Sequence, residues 1–232
     1  MKRILSILKE KWPEYILEIL VITIGILGAF ALNSWNENRL SEREERILLS
    51  NIREDLINTI KKFEKDTVFN AQSIHNAERI EYYIHENQPY SIELDSCFAT
   101  LGGWKSPYAI SSAYQSLKSQ GIDLIKNKAL RNSIVNLYDG ILTFVEDDYD
   151  HVEWSYFESV FMPYSSKNIR RVNEASFPSA RPNDFEAIKK SQEFQNILST
   201  IIRFRKAGIE VYGDAIEEIK QVIAMIDQEL NE

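Results

Sequence analysis

The chain has 232 residues, with 35 acidic side chains against 27 basic ones and a net charge of -8. Neutralising nucleic-acid phosphates takes a basic face, and here the basic residues alternate with acids, so no DNA or RNA partner is expected. Cys97 is the single cysteine, which excludes an intrachain disulfide and any CxxC zinc or redox pair.

Residues 1–14, MKRILSILKEKWPE, form a basic, amphipathic N-terminus suited to lie on an anionic leaflet. Residues 15–35 then read as a transmembrane helix, because between Ile16 and Leu32 the only strongly polar side chains are Glu18 and Thr23. A span needs about 20 residues at about 1.5 Å rise each, and the large apolar residues here favour insertion by on the order of 5 kcal/mol. Glu18, one turn from the boundary, costs less than the roughly 3 kcal/mol of a charge at mid-bilayer. Trp12 and Tyr15 at one end and Trp35 at the other are placed as interface anchors. Pro13 suits a first helical turn, and Glu14 suits the positive end of the helix dipole.

Lys2, Arg3, Lys9 and Lys11 precede the span and Arg39, Arg43 and Arg46 follow it. That small bias, with a short basic N-terminus, predicts a cytoplasmic N-terminus and a large domain on the other side, periplasmic for a bacterial inner membrane. The competing reading is a secretory signal cut near Ala29-Phe30-Ala31. Against it stand the length of the apolar run and the acid inside it.

Steps of four and three put Glu18, Ile22, Gly25 and Ala29 on one helical face. Gly25 and Ala29 are a small-xxx-small pair, the kind of surface on which helices associate in lipid. Glu18 is open to three readings: a side chain reaching the headgroups, a contact in a homo-oligomer, or a pore-lining group together with Thr23.

Residues 36–87 are expected to continue as a long stalk helix, with apolar positions at Leu48, Ile52, Leu56, Ile60, Phe63, Ile74, Ile80 and Ile84 and a kink or break between Asp66 and Asn76. Residues 88–232 are expected to complete an extramembranous antiparallel helical bundle. Glu86–Ile92 breaks the first helix, Ser112-Ala-Tyr-Gln115 has capping-box form, and Gly121 stops the helix begun there. A long helix is predicted from Asn127 to Phe161, carrying Leu130, Ile134, Leu137, Ile141, Phe144, Val145, Val152 and Tyr156. Met162–Asp184, with three prolines, reads as a surface loop, and Asn183 or Asp184 as the cap of the next helix. At the C-terminus, Tyr212, Ile216, Ile219, Ile223, Ile226 and Leu230 form a stripe that seeks a partner helix, either the chain's own stalk or a second chain. No convincing strand pattern appears, Pro89–Leu94 being the nearest. The fold class is all-α.

Two patches resemble a known family. "EILVITIGIL" at Glu18–Leu27 followed by "NSWNE" at Asn33–Glu37, and "AYQSLKSQGIDLIKNKALRNSIVNLY" at Ala113–Tyr138, are similar to the signatures of a family of uncharacterised single-pass membrane proteins from Bacteroidota. The resemblance implies a membrane-anchored helical protein of the cell envelope and supplies no chemistry.

Read for chemistry, the sharpest constellation is "EDDYDHVEWSYFE", Glu146–Glu158, where Asp147 and His151 sit four apart and offer one edge of a metal site. A metal takes three or more convergent ligands, so this stretch reads first as a solvated acidic face. Trp154, Phe157, Phe161 and Tyr164 read as core. GxSxG, GxxxxGK[ST] and GxGxxG motifs are absent from the sequence, and its three histidines are scattered, with His75 and His85 expected on the exposed stalk. The reading is a non-enzymatic membrane protein without a cofactor, whose bundle binds an envelope protein or a small ligand and which self-associates through its span. The alternatives are an oligomeric channel with Glu18 in its pore and a metal-dependent enzyme using Asp147 and His151.

Overall fold

The computed structural model describes residues 2–103, 105–172 and 178–231, with side chains from Trp12 onward except those of Glu14 and Tyr15. The chain is all-α apart from one two-stranded ribbon, and it folds as two units, Met1–Leu48 and Leu49–Glu232.

The first unit lies within α1, Lys2–His85. Pro13 sits inside this helix and not in its first turn, because the helix already begins at Lys2. Its missing N–H leaves the carbonyl one turn earlier without its usual donor. From Ile16 to Leu32 the large apolar side chains are 49% to 69% exposed and point in every direction around the axis.

In the second unit the rest of α1 packs antiparallel against α8, Gln192–Asn231. Arg53 pairs with Asp227 at 2.5 Å, the rings of Phe63 and Tyr212 stack at 5.4 Å, Glu78 meets Lys206 at 3.4 Å, and just past the end of α1 Asn87 accepts from Lys189, just ahead of α8, at 2.9 Å. One sequence rises as the other falls. The α8 stripe is therefore covered by its own chain: Tyr212, Ile216, Ile219 and Ile226 are buried, as is Val222 beside them.

The helix does not break between Asp66 and Asn76. The inward stripe instead runs on at steps of three and four through Leu49, Ile52, Leu56, Thr59, Phe63, Asp66, Asn70, Ser73, Ala77, Ile80 and Ile84, all buried. The interruption of apolar residues that suggests a kink is a buried polar layer. Helix α1 ends at His85, followed by Asn87 at φ 47.

Pro89–Leu94 is a turn leading into α2, Leu94–Leu101, and not a strand. Helix α3, Ser112–Gln120, stops before Gly121, whose φ of 110 suits only glycine. The capping box at its start does not form. Ser112 Oγ and Ala113 N–H both donate to Asp55 Oδ2 on α1, and Ile110 N–H donates to Thr59 Oγ1, so α1 serves as the cap.

The long helix expected from Asn127 is helical to Asn168 but not uniformly α. Helix α4, Lys128–Asn136, is capped by the Asn127 side chain and passes into wider π-turns at Leu137–Leu142 and Phe144–Tyr149. Helix α5, Asp150–Tyr156, passes through a third at Phe157–Phe161 into α6, Met162–Asn168. Each π-turn adds a residue to the turn and rotates the helix downstream of it. The inward face consequently shifts by one position, so Glu153 is buried while Val152 is 57% exposed. Phe144 and Trp154 also face out, and Trp154 is not core; Phe161 and Tyr164 are buried and Phe157 packs against them.

Part of the expected surface loop is ordered structure. After α6, strands β1, Ile169–Arg171, and β2, Ala180–Pro182, pair antiparallel with Ile169 opposite Pro182 and Arg171 opposite Ala180. Three-residue strands are too short for a period-two pattern to show in sequence. The ribbon is fastened to α2 through Asp95, which accepts from Arg181 at 2.5 Å, from Ser179 at 3.2 Å, and from Tyr90. Burial pushes the Asp95 carboxyl up, but these three donors together outweigh it and hold it below the usual carboxylate range. Asp184 caps α7, Phe185–Lys190, by accepting from Ala187 N–H.

Candidate functional site

The π-turn at Phe144–Tyr149 brings a carboxylate into the bundle interior, and the structure answers it with a cation from α8. Arg205 Nη1 lies 2.5 Å from Glu153 Oε1, with side chains only 4% and 8% exposed. Arg205 Nη2 also donates to the Gly103 carbonyl at 2.6 Å, and Tyr149 Oη donates to the Phe204 carbonyl at 2.8 Å and lies 3.1 Å from Glu153 Oε2. Burial nonetheless holds Glu153 above the usual carboxylate range, with Arg205 and Tyr149 pulling the other way.

Two glycines make room for this layer. A Cβ on Gly208 would stand 2.5 Å from Tyr149 Oη and 2.7 Å from Asn70 Nδ2, and one on Gly103 would stand 2.8 Å from the Phe69 ring. From α1, Asp66, Asn70 and Ser73 face the same interior. Asn70 Nδ2 and Ser73 Oγ have no hydrogen-bond partner among the described residues. Asp66 is pushed up by burial, against the pull of Lys105 and Lys62.

Beside this layer, a cleft of about 580 Å³ is lined by Ser106, Tyr108, Glu146, Asp147, Asp150, His151 and Trp154. Here the acidic stretch singled out in the sequence comes to lie. Burial raises both Glu146 and Asp150; Glu146 accepts the Ala109 N–H and is raised further by Asp147, whereas Asp150 is eased by Ser106, Arg205 and His151. Asp147 and His151 both line the cleft and are exposed, as are His75 and His85 on α1. Among the described residues no group of three or more His, Cys, Asp or Glu side chains converges as a metal requires. The cleft presents negative charge beside two aromatic walls.

In the first unit, α1 is continuous through Glu18, Ile22, Gly25 and Ala29, which therefore share a face, and all four are exposed in the single chain. Thr23 lies about 140° around the helix from Glu18, on a different face. Trp12 and Trp35 are 58% and 62% exposed and about 35 Å apart along the axis, close to the hydrocarbon thickness plus its borders. Arg39 places its guanidinium 5.8 Å from the Trp35 ring centre. The Tyr15 side chain lies outside the described residues.

Sequence reasoning missed Glu153, Arg205 and Tyr149. The four-three continuation of the α1 stripe past Phe63 into Asp66, Asn70 and Ser73 was the signal that a polar layer needed partners.

Fold and site together define an all-α protein with one N-terminal helix long and apolar enough to cross a membrane. A family model matches residues 18–151, more than half the chain, and the protein belongs to that family, DUF6090, a family of unknown function. Neither the curated proteins nor the solved structures give a match.

Proposed function

We propose that this protein is a membrane-anchored interaction protein of the bacterial cell envelope, held by α1 in the inner membrane with its N-terminus cytoplasmic and its bundle periplasmic. The observation that carries the reading is the exposure of the large apolar side chains between Ile16 and Leu32, each worth about 1.5–3 kcal/mol when removed from water. An apolar surface of this extent on a helix calls for a lipid or protein cover. The excess of lysine and arginine ahead of the span supports the orientation.

A binding role is favoured over a catalytic one by how the polar groups are used. Glu153 and Arg205 lock two helices together, Glu146 secures the Ala109 backbone, and Asp147 and His151 stand in solvent. The partner in the membrane is a second copy of the chain, meeting through Glu18, Ile22, Gly25 and Ala29. The separation of Thr23 from that face argues for a contact over a pore. Another envelope protein is the proposed partner of the bundle.

The test is alkaline washing of vesicles carrying the full chain, followed by protease treatment from either side. Retention in the pellet with the bundle cleaved only from the periplasmic face is expected. Release into the supernatant would sink the anchor, and a mature mass beginning after Ala31 would replace it with a cleaved signal.

A further inference from the structure

A second cavity, of about 320 Å³, opens between α2, the third π-turn, α6 and the ribbon. Its floor is apolar: Phe98, Phe161 and Ala180 are buried, and Ala99, Phe157 and Ile169 pack against the same core. Arg171 and Ser165 stand at the polar part of its lining, and among the described residues neither side chain has an ion-pair or hydrogen-bond partner. The surroundings are basic in an otherwise acidic chain. The four elements that wall it hold Lys167, Arg170, Arg171 and Arg181 against Asp95 and Glu158, and Arg181 is engaged by Asp95.

We infer that this cavity binds a small single-chain amphiphile carrying one anionic head, with the apolar body over Phe98 and Phe161 and the head at Arg171 and Ser165. Charge selects the head: a guanidinium with no ion-pair partner among the described residues gains most from an anion that can accept two parallel N–H bonds. Size selects the body, because the volume is at the lower end of the roughly 300–1,000 Å³ of small-molecule sites and has no room for a two-chain lipid. A free carboxylic acid and the anionic single-chain breakdown product of a lipid share this chemistry.

The test uses the full chain in zwitterionic nanodiscs, titrated calorimetrically with 4-phenylbutyrate, 4-phenylbutanol and acetate, empty discs being subtracted. Saturable binding of the acid, weaker binding of the alcohol and none of acetate are expected. Arg171→Gln, an exposed position, should weaken the acid about tenfold and abolish its advantage over the alcohol, the effect of one charge-assisted hydrogen bond. Ala99→Leu, which fills the cavity, should weaken both. Repeating the titration with lysophosphatidic acid distinguishes the sources: tighter binding than 4-phenylbutyrate assigns the lipid product, weaker binding the free acid. Equal binding of acid and alcohol, or indifference to both substitutions, overturns the inference. So does a loss of self-association in Ala99→Leu, which would give the cavity to a second copy.

Discussion

Glu153 on α5 and Arg205 on α8 meet at 2.5 Å with both side chains almost wholly out of water. Each offsets the other's lost hydration with an opposite charge, whereas the Gly103 carbonyl that accepts from Arg205 and the Tyr149 hydroxyl 3.1 Å from Glu153 bring no charge. Removing one member of such a pair leaves a charge stranded. Arg205→Met should therefore lower stability by about 3 kcal/mol, whereas Glu153→Leu combined with Arg205→Met should recover most of the loss. Denaturant unfolding of the full chain, followed by circular dichroism, measures both. A double variant as unstable as the single one would show that the pair is held for packing and not for charge.

Gly208 offers an independent reading of the same layer. A methyl group there overlaps Tyr149 Oη and Asn70 Nδ2, both held by packed helices. Gly208→Ala should cost about 2 kcal/mol through forced displacement, even though alanine is the better helix former. Adding Tyr149→Phe removes the nearer atom and should restore part of the loss despite forfeiting a hydrogen bond. Thermal unfolding of the three variants decides it; if Tyr149→Phe only adds to the damage, the overlap is not the cause.

These residues also show how far a sequence can be read. The stripes on α1 and α8 are visible from the spacing of Leu56, Phe63, Tyr212 and Ile219, because helices announce themselves by periodicity, but spacing alone leaves open whether α8 packs on its own stalk or on a second chain. The interruption at Asp66–Asn76 is visible too, but its meaning is not: a run of polar residues on an inward stripe looks like a break until the fold shows that they stay buried, as Asp66, Asn70 and Ser73 do. The π-turns are hidden for a different reason. One extra residue in a turn leaves composition unchanged while rotating every later position, so Val152 and Trp154 read as inward and Glu153 as outward. The Asp95–Arg181 fastening joins elements far apart in the chain, and no local spacing predicts it.

Asp66 makes a pH prediction with a definite sign. Burial raises its folded-state value, so the folded protein holds the proton more tightly than the unfolded chain does. Its contribution is therefore fully present below the ordinary aspartate value of about 4 and is lost as pH rises through the folded value. Asp66→Asn keeps the shape and never ionises. The variant should melt above wild type at pH 7, and the gap should close as pH falls towards about 4. Asp95, held low, has the opposite slope but is common to both proteins and cancels in the difference. A gap that widens on acidification would mean that the Asp66 carboxylate is stabilised by Lys62 and Lys105 more than burial costs it.

The membrane contact is tested most cleanly by two alanines. Ala29 lies about 20° around the helix from Glu18 and Ala31 about 220°, so one is on the proposed face and the other nearly opposite. Both are exposed in the single chain, and a Cβ on neighbouring Gly25 would meet nothing within 4 Å, so bulk added on this helix does not disturb the chain's own packing. Hydropathy rises equally in Ala29→Phe and Ala31→Phe, which keeps insertion matched. Association through close backbone approach predicts that Ala29→Phe reduces oligomer abundance several-fold in single-molecule photobleaching counts, while Ala31→Phe leaves it unchanged. Glu18→Gln should follow Ala29→Phe if the carboxyl is shared between copies, and should have no effect if it only reaches the headgroups. Equal counts for the two phenylalanine variants would remove the small-residue face from the account and leave the anchor standing alone.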